Sequence, residues 1–221
     1  MRTTTLKLLL LGLIIAFTSC QKEVDSLTGN NSGSTGGTGG TGSTGGTNNT
    51  NNIVGDYDFV GMSAHTQSSI TVTASGQEVK SITTTDYVTK NNGGTAKFTS
   101  TDFITTDLTY SVDTVANLKM YIDNVLLNDT EVPIGISIPP TSDTSPYTRI
   151  SADSITTTGA IGVSIDPSGT APTGPVGIKL AWSGDTLLLK MNTTFTQSVS
   201  QNGIPAMFTG TVNGVIKLKK R

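Results

Sequence analysis

The sequence predicts an all-β fold, a single antiparallel β-barrel or barrel-like sandwich of about eight to ten strands preceded by a disordered linker. Three observations carry this expectation. Beyond residue 53, apolar residues recur at every second position in short runs, the period of a strand with one buried face. Clusters of Gly, Asn, Asp and Pro separate the runs, and these residues suit turns. Thr is abundant, while Ala, Glu, Lys and Leu, the strong helix formers, are sparse after the first twenty residues, which favours strand over helix.

The chain opens with a different element. Arg2 and Lys7 supply positive charge, and Leu8 to Phe17 form an apolar run interrupted only by Gly12. This is the charged and apolar order of an export signal, and the run is about half the ~20 residues that a membrane-spanning helix needs. Phe17, Thr18, Ser19 and Cys20 follow it and resemble the lipobox of bacterial lipoproteins. The resemblance implies a signal over residues 1–19 and lipid attachment at Cys20. Cys20 is the single cysteine among 221 residues, so an internal disulfide and a catalytic thiol elsewhere are excluded. Gln21, Lys22, Glu23 and Asp25 place a lysine and acids directly after it. That order resembles the surface-export signal of Bacteroidota lipoproteins, which implies an outer-membrane protein facing the cell exterior. Several acyl chains, each methylene adding about 0.8 kcal/mol, would hold it there.

Residues 20–52 read as the lipidated N-terminus and a flexible tether. From Thr28 to Asn52 the chain is almost entirely Gly, Thr, Ser and Asn, which offers nothing to a core. A Gly-rich coil of that length averages about 25 to 30 Å end to end. Its glycines lack the neighbouring strand, helix and lysine of a phosphate-binding loop.

The domain is expected over residues 53–221. Tyr57, Phe59 and Gly61 share a face opposite Asp56 and Asp58, and Ile70, Val72 and Ala74 alternate in the same way. Asn91 to Gly94 read as a hairpin loop between runs centred on Tyr87 and Phe98, because Asn and Gly tolerate positive φ. Leu108, Tyr110 and Val112 continue the alternation. Residues 117–128 fit two patterns: Leu118, Tyr121, Ile122, Val125 and Leu126 have helical spacing, while Asp123-Asn124 read as a tight turn between two strands. The hairpin is favoured. Prolines between Val132 and Tyr147 imply a long irregular loop or an edge strand, and a second loop is expected from Asp166 to Pro175. Both loops are candidate binding surfaces. Ile178, Leu180 and Trp182 lead into a Ser183-Gly184-Asp185 turn and return as Leu187, Leu189 and Met191. The last strand sets Phe208, Gly210, Val212, Gly214, Ile216 and Leu218 on one face.

Two ends of the domain resemble a family. Ile53-Val54-Gly55-Asp56-Tyr57 is similar to the Gly-x-Trp opening of lipocalin-like domains in Bacteroidota lipoproteins, with Tyr57 in the place of Trp. Gly184 to Leu189 and the basic end Lys217 to Arg221 are similar to their closing strands. The resemblance implies a lipocalin-like barrel in an outer-membrane lipoprotein.

Composition limits the chemistry. A net charge of -2 from 14 basic and 16 acidic residues provides no footprint for nucleic acid. His65 is the single histidine, which rules out histidine-rich zinc sites; as a surface residue it is placed near the first turn. Asp56, Asp58, Glu78 and Glu131 are the carboxylates to inspect for hydrolysis or calcium binding, but nothing in their spacing orients an acid and a base. No catalysis, cofactor or metal is expected. Trp182, Tyr87, Tyr110, Tyr121 and Tyr147 are read as packing residues, with Trp182 the foremost core candidate. The triplets beginning at Asp25, Asp113, Asp153 and Asp185 resemble the O-glycosylation motif of Bacteroidota, which implies Ser26, Thr114, Ser154 and Thr186 as acceptors. The sequence thus leads to a non-catalytic surface protein that binds an extracellular glycan or protein. A lipocalin-like carrier of a small apolar ligand is the alternative.

Overall fold

The computed structural model describes residues 52–74, 76–158, 175–201 and 204–221. All belong to the second of the chain's two units, Thr47–Arg221. Cys20, Gln21, Lys22, Glu23, Asp25, Ser26, the tether and most of the expected loop from Asp166 to Pro175 lie outside the described residues.

The described chain is all-β, with nine strands: β1 Gly55–Ala74, β2 Gln77–Val88, β3 Lys90–Phe98, β4 Asp102–Ile122, β5 Val125–Ser151, β6 Ser154–Thr158, β7 Pro175–Ser183, β8 Thr186–Gln201 and β9 Ile204–Lys220. Every pairing is antiparallel, and β9 pairs back onto β1 to close a barrel-like ring. Strands β2 and β3 are two parts of one position in that ring. β1 pairs with β3 through Gly55 to Asp58 and with β2 through Ser63 to Ala74, and β4 faces both.

This corrects the reading of Asn91 to Gly94 as a hairpin loop. The chain does not reverse there; it passes through an irregularity in which the β3–β4 register shifts twice. Asn91 takes φ 53° and Gly94 φ 93°. The Asn92 amide donates to the Val60 carbonyl at 2.9 Å, and the Thr89 hydroxyl accepts from the Met62 amide at 2.9 Å. These side chains satisfy the backbone that a second bulge, in β1 between Phe59 and Gly61, takes out of the ladder. That bulge also corrects the assigned face of Gly61: Tyr57 and Phe59 point inward, and after the extra residue the inward positions become Met62 and Ala64. A one-residue insertion reverses the alternation beyond it.

Residues 117–128 form the hairpin. Asp123 and Asn124 hold φ 49° and 64°, the two positive values of a type I′ turn, whose twist matches that of the flanking strands. The Asp123 carboxylate accepts from the Glu78 amide at 3.0 Å, tying this tip to the β1–β2 tip. The proline-containing segment from Val132 to Tyr147 is strand, and it is an edge: among the described residues, Val125 to Pro146 pair on one side only, with β4. Prolines are tolerated where no ladder partner needs their missing N–H. The separate short runs expected near Tyr57 and Ile70 are one strand of 20 residues.

The core fills the part of the barrel nearest the chain entry and the C-terminus. Phe98 sits at its centre, with ring centroids 4.7 Å from Phe103, 5.5 Å from Tyr147 and 5.9 Å from Tyr57. Aromatic contacts at these separations add about 0.5–1.5 kcal/mol beyond burial. The Tyr57 hydroxyl donates to the Ile53 carbonyl and the Tyr147 hydroxyl to the Thr99 carbonyl, each at 2.6 Å, so neither buried phenol lacks a partner. Leu187, Leu189, Ile216 and Leu218 are completely inaccessible, as the alternation predicts. Trp182 is half-buried, packs 6.3 Å from Tyr57, and has Lys220 above its ring. Farther along, Phe195 and Phe208 stack at 5.7 Å, and the Phe195 ring covers Gly210, which has no side chain of its own to bury.

Candidate surface site

Most outward residues of the strands are polar or charged, with Val60, Val88, Val115, Ile150 and Met207 among the exposed apolar exceptions, and most inward ones are apolar. On this outer face a trough of about 930 Å³ crosses β2, β1, β9, β8, β7 and β6, with the exposed Ile150 of β5 also in its lining. Strand register builds it. Tyr87, Ala64, Gly214, Met191, Ile178 and Ile155 are directly opposed across these six strands and turn their side chains into the filled interior, where none is more than 6% accessible among Tyr87, Ala64, Met191, Ile178 and Ile155. Their backbones form the trough floor. The residues on either side of each point outward, giving one wall with Val88, Ser63, Val215, Lys190 and Lys179, and another with Asp86, His65, Asn213, Asn192 and Gly177.

The charges along the trough are unevenly matched. His65 Nδ1 lies 2.8 Å from Asp86 Oδ1 across the β1–β2 ladder. His65 therefore stands mid-strand, not beside the first turn, because β1 runs on to Ala74. Lys179 and Lys190 are directly opposed on β7 and β8, an arrangement of like charges that destabilises a strand pair. The described ion pairs are His65–Asp86, Lys90–Asp113, Lys97–Asp56, Lys119–Asp129, Lys219–Asp185 and Arg221–Asp58, so neither trough lysine is among them. The Asp153 carboxyl is held below its ordinary range by the Ser151 hydroxyl first and, to a lesser degree, by Lys179. Gly177 leaves open space, since a Cβ there would meet nothing within 4 Å.

The carboxylates considered for hydrolysis do not converge. Asp56 and Asp58 face outward and pair with Lys97 and Arg221 at 3.5 and 2.6 Å. Glu78 lies at the far end of β2 and Glu131 on exposed β5. Among the described residues no three His, Cys, Asp or Glu side chains gather as a metal site would require. The three described O-glycosylation candidates are also apart. Thr114 is half-buried on β4 and donates to the Asp86 carbonyl, Thr186 bonds Asp185 at the β7–β8 turn, and Ser154 opens β6 within 2.6 Å of the Ser151 hydroxyl.

Sequence reasoning missed Lys179 and Lys190. A signal for them existed: both are five residues from the ends of the Gly184-Asp185 turn, so the hairpin symmetry alone sets them opposite each other. Comparison of the chain with protein-family models, with curated proteins and with solved structures gives no match.

Proposed function

We propose that the chain is a cell-surface lipoprotein, held in the outer membrane by lipid on Cys20, whose lipocalin-like β domain is a non-catalytic module that binds an extracellular glycan or protein through its outer face. One observation carries the reading: at the level of the trough, inward side chains occupy the barrel interior, and the accessible concavity is outside. A rigid β scaffold then presents its outward side chains at a level where the interior is filled. The chain enters at the packed end of the domain, and the long hairpins β1–β2 and β4–β5 extend from the other.

The carrier reading rests on a different observation. Toward the hairpin end, inward-facing Ile70, Val72, Leu118, Ile134 and Ile136 are only half-buried, and they form the surface an apolar ligand would use.

Two measurements test the proposal. Cys20→Ala should move the protein from the membrane to the soluble fraction, and protease added to intact cells should digest the wild type; membrane retention of the variant refutes lipid anchoring. For the domain, wild-type protein should be retained on glycan or protein supports and leave a fluorescent fatty acid unbound. Saturable fatty-acid uptake with no retention on either support refutes outer-face binding.

A further inference from the structure

We propose that the trough binds an anionic polysaccharide, with Lys179 and Lys190 taking its carboxylate or sulfate groups. The inference rests on the outer-face reading above and names its ligand class. Two lysines opposed across a ladder, neither of them in an ion pair among the described residues, leave a positive charge that an incoming acid group neutralises. Asn192 and Asn213, also directly opposed, line the trough beside them with Ser63 and Thr156. Amides and hydroxyls of this kind both donate and accept, as sugar hydroxyls require.

The shape selects a long, thin occupant. Six strands at the usual spacing give a length of about 24 Å. The trough crosses the strands, and their backbone groups there are already paired with neighbouring strands. A peptide could not extend the sheet along it, because strand addition needs a free edge. Nucleic acid is disfavoured by the chain's net charge of -2 and by the inward orientation of Tyr87, which removes the aromatic ring that would stack on a base. His65 is bonded to Asp86, which leaves Lys179 and Lys190 as the other two charged side chains of the trough lining.

The test uses the full chain, titrated with polygalacturonate as the carboxylated probe, dextran sulfate as the sulfated probe, and neutral dextran as control. Three variants separate charge, shape and stability. The double substitution Lys179→Gln, Lys190→Gln should weaken binding by about tenfold or more and leave the thermal midpoint unchanged or higher, since it removes a like-charge pair. Gly177→Leu places a side chain in open space, keeps every charge, and should block the trough. Lys80→Gln with Lys97→Gln removes the same charge elsewhere and should bind as the wild type does. Binding of one acidic probe but not the other identifies the acid group and supports the site. Failure to bind either acidic probe, equal binding of neutral dextran, or equal loss in the Lys80/Lys97 variant overturns the proposal. If neither acidic probe binds but another glycan or a protein support retains the chain, this inference fails and the outer-face reading stands; fatty-acid uptake without such retention removes both.

Discussion

Replacing Gly94 by Ala should destabilise the domain far more than the same change at Gly76, although both residues have positive φ. Gly94 holds φ +93° and Gly76 φ +79°, a region that costs an L-residue about 1–2 kcal/mol. At Gly76 that is the whole effect, because a Cβ would meet nothing within 4 Å. At Gly94 the Cβ would lie 2.5 Å from the Asp107 carbonyl oxygen and 2.6 Å from the Leu108 Cα. Both are backbone atoms of the adjacent β4, which cannot swing aside as a side chain would. Overpacking of this kind adds about 1–3 kcal/mol, so the expected loss is about 2–5 kcal/mol at Gly94 against about 1–2 kcal/mol at Gly76. Equilibrium unfolding in guanidinium, followed by the fluorescence of Trp182, the one tryptophan, gives both values. Equal losses would refute the close approach of β3 to β4 at the irregularity.

Other positions have separate expectations. Gly210→Ala should cost less than Gly94→Ala, because its Cβ would meet the Phe195 ring, a half-buried side chain able to rotate away; a loss as large as that at Gly94 would show the ring to be fixed. Thr89→Val leaves the buried Met62 amide without its hydroxyl acceptor and should cost about 1–3 kcal/mol, read from the same unfolding curve; no change would mean another acceptor replaces it. Phe98→Ala, at the centre of the aromatic core, should cost about 3–5 kcal/mol by chemical denaturation, and a loss under about 1 kcal/mol would contradict its central burial. Alkaline pH should unfold the domain. Burial raises Tyr57 and Tyr110 from 10.0 to about 12, so the folded state retains two protons that the unfolded chain releases. Their contribution is complete below pH 10 and is lost as pH rises through about 12. Phenolate absorbance titrated alongside circular dichroism checks this, and ionisation of both rings near pH 10 without unfolding would contradict it.

Alternation alone made much of the architecture legible. The inward sets Leu187, Leu189 and Met191, and Phe208 through Leu218, are the sets the structure buries. The Asp123-Asn124 turn was readable because two consecutive residues that tolerate positive φ suit a type I′ turn. The same chemistry misled at Asn91 to Gly94: a bulge uses positive φ as readily as a hairpin does, and only the partner strand distinguishes them. The Gly61 bulge was hidden for a related reason, since the apolar pattern resumes beyond it on the opposite parity. As for the surface site, the Lys179–Lys190 pair was encoded in one hairpin, but the rest of the trough was not legible. Its walls come from six strands, and β1 meets β9 across about 150 residues of sequence, so its register could not be read from local pattern.

Neighbouring residues on one strand decide whether ligand meets the outer face, because they point to opposite sides of the sheet. The decisive measurement is a residue-resolved side-chain NMR titration of the protein with polygalacturonate fragments and, separately, with a fatty acid. The polysaccharide should shift His65, Asn192 and Asn213 while Ala64 and Met191 stay in place, and the fatty acid should shift none of them. Shifts at Ile70, Ile134 and Ile136 with fatty acid, and none at His65, Asn192 or Asn213 with polysaccharide, would contradict outer-face binding.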